Sequence, residues 1–244
     1  MNGSLKRCML KGATALMVLT VATACAETQQ EGEVKKLIEQ NIGEGAKIDE
    51  VKQTPYAGLY EVRTGGSVIY TDAKAQYIFA GQIFDAKTKH NYTKERIDEL
   101  NKIKFSDLPL DLALKTVKGN GSRAIAVFSD PNCGYCKRFE QTLKDVDNIT
   151  VYTFIYPILS EDSAGKAKNI WCSADKNKAW QAWMVDGKQA ANAAANCTSP
   201  EAQVFELGRK LQVSGTPTIF FTDGSRVPGA IDAKMLEQKL SAIK

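Results

Sequence analysis

Phe128-Ser129-Asp130-Pro131-Asn132-Cys133-Gly134-Tyr135-Cys136-Lys137-Arg138-Phe139 is the stretch that decides how this chain is read. The apolar run Ala124 to Phe128 reads as a buried strand and leads into a short loop. Two cysteines at C-x-x-C spacing follow, and a helical pattern starts with Phe139, Leu143 and Val146. That order sets Cys133 at a helix N-terminus, where unpaired backbone N–H groups and the helix dipole favour an anion. The anion here is a thiolate, the reactive form of cysteine. Cys136, one turn further in, faces the protein and can attack a mixed disulfide formed at Cys133. The same spacing also serves as half of a zinc site, but a strand before it and a helix after it favour a redox pair.

Towards the N-terminus, Lys6, Arg7 and Lys11 form a basic region and Ala13 to Val21 an apolar core. Ala24-Cys25-Ala26 then supplies a small-residue cleavage site. Residues 1–26 therefore read as a secretory signal peptide, too short to stay in the membrane as a span. Ala22-Thr23-Ala24-Cys25 faintly matches a lipoprotein box, so anchoring through a lipid on Cys25 is a minor alternative. Nothing later in the chain is long and apolar enough for a transmembrane helix. Removing Lys6, Arg7 and Lys11 with the leader leaves 29 basic side chains against 28 acidic ones. A mature charge near zero gives no reason to expect a nucleic-acid partner. Four cysteines remain, Cys133, Cys136, Cys172 and Cys197, an even set that fits two disulfides in an exported protein.

About 218 residues after cleavage suggest two modest domains or one large one. Glu31 to Ile42 reads as a helix with Val34, Leu37, Ile38 and Ile42 on one face. Short strands follow at Lys47–Gln53, Gly58–Arg63, Ser67–Tyr70, Gln76–Phe79 and Gln82–Phe84, with Gly65-Gly66 and Asp72-Ala73-Lys74 as turns. This first unit, residues 27–90, has no cysteine and little core of its own, so oligomerisation would stabilise it. Thr93 to Ile103 is a polar helix with Thr93 as its N-cap, read as a connector within residues 91–108, with a surface helix of one larger domain as the alternative. His90, the only histidine, reads as solvent-exposed.

The second unit, residues 109–244, begins with an extended pair, Leu112–Val117 and Arg123–Ser129, turned by Gly119-Asn120-Gly121. Thr150–Ile158 is a further strand, Ser160 to about Leu211 is helical in composition, and Thr218–Thr222 with Arg226-Val227 forms a hairpin. Ile231–Ile243 closes the chain as a helix. Strand, helix, strand, helical stretch, hairpin, helix is the order of an α/β thioredoxin-like domain with a helical insertion. The first unit is of α+β type.

The motifs Cys133-Gly134-Tyr135-Cys136, Ile170-Trp171-Cys172 with Asp175-Lys176-Asn177-Lys178, Val213-Ser214-Gly215-Thr216-Pro217 and Val227-Pro228-Gly229 resemble the DsbC family of exported disulfide isomerases. Ala57-Gly58 to Tyr70 in the first unit extends the resemblance along the mature chain. It implies a V-shaped homodimer, with the first units as dimerisation domains and two thioredoxin-like domains facing a common cleft. Cys133 and Cys136 would then be the catalytic, redox-active pair, and Thr216 with a cis Pro217 would bind substrate backbone. Cys172 and Cys197 would form a structural disulfide. The implied partners are misfolded exported proteins with wrong disulfides and a membrane reductant of the DsbD type. No cofactor or metal is implied. A thiol reductase or oxidase of the same fold, and a peptide-binding chaperone resembling DsbG, are the alternatives. A zinc module of all four cysteines is weaker, because the chain has no second C-x-x-C.

One departure concerns proton transfer. Thioredoxins proper carry a buried acid in the strand before C-x-x-C, whereas this chain reads Ala126-Val127-Phe128. Asp130 is near in sequence but reads as a turn or cap residue.

Overall fold

The computed structural model describes residues 28–43 and 47–243; the signal peptide expected at residues 1–26 and the alternative lipid site expected at Cys25 lie outside the described residues. Helix α1 (Gln29–Ile42) starts at a capping box in which Thr28 accepts from the N–H of Glu31 and Glu31 reaches back to Thr28. It packs Val34 and Ile38 onto an antiparallel sheet of strands β1 (Glu50–Gln53), β2 (Tyr60–Thr64), β3 (Ser67–Thr71) and β4 (Ile78–Phe79). Gly65 and Gly66 both take positive φ at the β2–β3 turn, which is why that turn is a glycine pair. Leu37 and Ile42, read as part of the buried face, are instead exposed, as are Tyr77, Ile78 and Phe79 along open edge strand β4. Gln82–Phe84 contributes only a single bridge, Phe84 to Asn91.

Helix α2 (Tyr92–Leu100) is capped by Asn91, not by Thr93. Thr93 is buried, and its hydroxyl lies 2.6 Å from the Tyr70 hydroxyl and accepts from the N–H of Ile83 at 2.8 Å. A second polar residue two positions earlier won the cap because the Thr93 side chain is needed inside. His90 is exposed as expected, with Nε2 2.8 Å from Glu95.

The second sheet has strands β5 (Leu114–Lys118), β6 (Arg123–Ser129), β7 (Ile149–Ile155), β8 (Thr218–Phe221) and β9 (Arg226–Pro228), in the order β5-β7-β6-β8-β9. The expected β5–β6 hairpin is therefore absent: β7 lies between them, antiparallel to β5 and parallel to β6. The Gly119-Asn120-Gly121 turn instead wraps the start of β7, where the Thr150 hydroxyl donates to the Gly121 carbonyl at 3.0 Å. Five consecutive buried residues, Ile125 to Ser129, demand a partner strand on each side of β6, whereas β5, with alternating exposure, suits an edge.

Side chains alternate across β6. Ile125 and Val127 meet Phe139 of helix α3 (Gly134–Thr142) and Leu236 and Leu240 of helix α7 (Ala233–Ala242); Ala126 and Phe128 meet Val204 on the other face. The helical stretch between β7 and β8 resolves into α4 (Glu161–Trp171), α5 (Lys176–Asp186) and α6 (Glu201–Lys210). Gly187, left-handed at φ 70°, ends α5. Trp180, Trp183 and Met184 of α5 and Ala167 and Ile170 of α4 form a third cluster, and Cys133 and Cys136 belong to it. Burial of each large side chain there is worth roughly 1.5–3 kcal/mol.

Candidate active site

The chain leaves β6 at Ser129, turns through Asp130-Pro131-Asn132 and enters α3 with Cys133 as N-cap. Asp130 makes that turn. Its Oδ1 accepts from the N–H of Asn132 (2.7 Å) and the Ser163 hydroxyl (2.9 Å), and its Oδ2 from the N–H of Leu159 (3.0 Å). The carboxyl group is fully buried, and these three donors replace the water it has lost. It therefore ties the loop to the start of α4, which the sequence reading did not foresee.

No side-chain hydrogen bond caps α3, so its first-turn N–H groups remain for an anion at the N-cap position. Cys133 is 6% exposed and its Sγ donates to the Thr216 carbonyl at 3.3 Å. The Thr216–Pro217 bond is cis, and the Thr216 N–H has no backbone partner among the described residues. Tyr135, between the two cysteines, is 61% exposed. Cys136 is 1% exposed. Burial pushes its thiol up to about 12, and the neighbouring Cys133 adds to the rise while the Ser129 hydroxyl and the Asp130 N–H oppose it. Both residues are free thiols, one at the rim and one behind it. Cys172 and Cys197, with 25 residues of sequence separation, are joined as a disulfide 6.2 Å between Cα atoms, far along the insertion.

Four residues around the pair, Glu140, Trp180, Gln181 and Trp183, were not singled out in the sequence. Glu140 lies four residues after Cys136 on the inward face of α3 and is buried, accepting from Trp180 Nε1 (2.7 Å) and Gln181 Nε2 (2.9 Å). Burial raises its carboxyl above the usual range, opposed by those two donors. Trp183 Nε1 donates to the Pro131 carbonyl at 2.6 Å. The legible signal was an acid at the i+4 position from Cys136 and two tryptophans three apart on one helix face. Among the described residues no cluster of His, Cys, Asp and Glu could hold a metal ion, and no helix is long and apolar enough to cross a membrane.

A cis-proline loop opposite a helix-capping cysteine, with a second buried cysteine behind it on a five-stranded sheet, defines a thioredoxin-fold thiol–disulfide oxidoreductase. Family models described as a thioredoxin-like domain and as the N-terminal domain of disulfide bond isomerase protein match residues 110–244 and 22–94. The probable thiol:disulfide interchange protein DsbC of Bordetella parapertussis is 49% identical over 218 residues, 89% of this chain and 77% of that protein. DsbC of Escherichia coli is 31% identical over 202 residues, 80% of this chain and 82% of that one. A crystal structure of a disulfide interchange protein from Neisseria gonorrhoeae superposes with a TM-score of 0.52 at 38% identity, covering 55% of this chain and 97% of its own. The chain belongs to the DsbC family of thiol:disulfide interchange proteins.

Proposed function

We propose that this protein is a periplasmic disulfide isomerase that works as a homodimer, with Cys133 as the attacking thiol. The observation that carries the reading is the contact of Cys133 Sγ with the Thr216 carbonyl while Cys136 lies buried behind it. An extended substrate strand can pair with the Thr216 backbone, which presents its sulfur to Cys133. The Cys133 thiolate attacks one sulfur of a wrong disulfide, forms a mixed disulfide and releases a substrate thiolate. A different substrate thiol then displaces Cys133, and the substrate is reshuffled with no net change in electrons. If none arrives, Cys136 gives up its proton and attacks Cys133, releasing a substrate dithiol and leaving the Cys133–Cys136 disulfide. Two electrons from a membrane reductant of the DsbD type then restore the thiols. No cofactor enters either route.

Residues 1–26 are the export signal in this reading, 27–90 the dimerisation domain, 91–108 the connector and 109–244 the catalytic domain. Supporting the dimer, Tyr77, Ile78 and Phe79 are all exposed along the open edge strand β4, and Phe84 further along the chain is exposed too. A second copy would cover this apolar edge, which a monomer would leave open to pairing with other chains. The Cys172–Cys197 bridge is structural and takes no part in exchange.

Refolding of a scrambled multi-disulfide protein tests the reading. Cys133→Ala should abolish isomerisation, and Cys136→Ala should accumulate mixed disulfides. A fragment from Phe105 to Lys244 should sediment as a monomer, keep thiol chemistry and lose most isomerase activity. Equal alkylation rates of Cys133 and Cys136 in the reduced protein would refute the assignment of roles.

A further inference from the structure

We propose that Trp183, carried by the insertion helix α5, is a positioning residue for the Cys133 thiol. It would act through the Pro131-Asn132 loop and through the ammonium groups of Lys137 and Lys166. The indole occupies a slot where it is 9% exposed, and its Nε1–H donates to the Pro131 carbonyl at 2.6 Å. Lys137 Nζ lies 4.2 Å from the ring centroid and Lys166 Nζ 4.6 Å. Lys166 is also paired with Asp162, whose carboxylate accepts from the Asn132 side-chain amide at 2.6 Å. Both residues immediately before the nucleophile are thus tied to the insertion, Pro131 to α5 and Asn132 to α4.

The helix that carries Trp183 is itself gripped one turn beyond Cys136. Trp180 Nε1 and Gln181 Nε2 donate to the two oxygens of Glu140 at 2.7 and 2.9 Å. Helix α5 therefore holds the redox segment at two points, the loop that enters α3 and the second turn of α3. The two contacts have different consequences for the chemistry. The Glu140 contact fixes helix against helix. The Trp183 contact fixes the peptide that aims Cys133, and its ring faces order two ammonium groups, Lys137 on α3 and Lys166 on α4. A cation over an indole face is attracted by the ring quadrupole, so the ring orders the lysines as well as packing. Stabilising the thiolate favours the reduced protein and speeds attack at mildly acidic pH.

This inference rests on Cys133 being the attacking thiol. The charged and titratable groups around the loop include Asp130, Tyr135, Cys136, Lys137 and Arg138 on its own segment and Asp162 and Lys166 on α4. The test uses the full chain and two readouts: the rate at which iodoacetamide alkylates Cys133 at pH 6, and the thiol–disulfide equilibrium in glutathione buffers. Trp183→Phe keeps an aromatic ring in the slot but removes the N–H donor and shrinks the face that meets Lys137 and Lys166. It should slow alkylation about three- to tenfold and shift the equilibrium towards the Cys133–Cys136 disulfide by a similar factor. Lys137→Gln should give a smaller change of the same sign. Trp180→Phe, which spares the Pro131 contact and both lysines, should lower the melting temperature and leave both readouts within twofold. Wild-type values of both readouts in Trp183→Phe would overturn the proposal, as would equal shifts in Trp180→Phe and Trp183→Phe. Equal alkylation of Cys133 and Cys136 in the unmodified protein would instead overturn the assignment of the attacking thiol on which the proposal rests.

Discussion

Replacing Glu140 by glutamine should change how stability responds to pH. Glu140 is 5% exposed and its two partners, the Trp180 and Gln181 N–H groups, are neutral donors, one to each carboxylate oxygen. Burial lifts its folded-state pKa above the ordinary 4.5, with those donors opposing. A carboxyl whose folded pKa is raised stabilises the fold fully below the unfolded value, and that contribution is lost as pH rises through the folded value. Within that window the loss can reach about 1.4 kcal/mol per pH unit. Glutamine does not titrate, but its amide nitrogen cannot accept, so one of the two N–H groups loses its acceptor at about 1–3 kcal/mol. Glu140→Gln should therefore be less stable than the wild type by that amount near pH 4, and the gap should close as pH rises above the ordinary carboxylate range. Urea unfolding of both proteins from pH 4 to 8, compared at matched slopes, reads the difference directly. Other carboxyls cancel in it, and the Cys136 thiol, pushed up to about 12, titrates outside the range. A gap that stays constant across the range, or widens as pH rises, would refute the reasoning.

Three further outcomes are expected. Cys172→Ser combined with Cys197→Ser opens a loop with 25 residues of separation and should cost about 3–4 kcal/mol in urea unfolding of the oxidised protein. Peptide mapping that finds either cysteine free in that protein would contradict the pairing. Gly224→Ala should lose about 1–3 kcal/mol, because Gly224 sits at φ 82° and an added Cβ would lie 2.1 Å from the Ile103 carbonyl; an unchanged melting temperature would exclude a firm contact there. Phe79→Glu, a charge on the open edge of β4, should yield a monomer in sedimentation velocity, and an unaltered dimer would move the interface elsewhere.

Much of this was legible because local signals were strong. The apolar run before C-x-x-C, the glycine pair at Gly65-Gly66 and the hairpin at Asp223-Gly224 each have one favoured local conformation, and β6, the β2–β3 turn and the β8–β9 pair follow them. What failed was pairing between strands of similar composition. Gly119-Asn120-Gly121 has the residues of a hairpin turn, yet β5 pairs with β7 because parallel β6–β7 pairing takes the place beside β6. A turn's composition fixes that the chain reverses, not which strand it then lies beside. Thr93 failed for a similar reason: its hydroxyl suits a cap, but a buried Tyr70 hydroxyl and the Ile83 N–H claimed it.

The surroundings of the thiols were the least legible part, and distance along the chain explains why. Cys133 and Cys136 could be placed because four consecutive residues of sequence carry the chemistry. The groups that hold them come from far away: Trp180 is 40 residues from Glu140, Trp183 is 52 from Pro131 and Thr216 is 83 from Cys133. Nothing in the composition of α5 ties it to α3 until β7 is known to run parallel beside β6, which sends the insertion back over the active-site helix. The same geometry implies that the Cys172–Cys197 bridge, which encloses the whole of α5, steadies the helix that holds the redox loop. Its loss should then be felt in the protection of the Trp180 and Trp183 indole N–H groups against hydrogen exchange before it is felt at Phe128 or Phe220, which lie in the separate cluster formed with Phe154, Tyr156 and Val204 of α6.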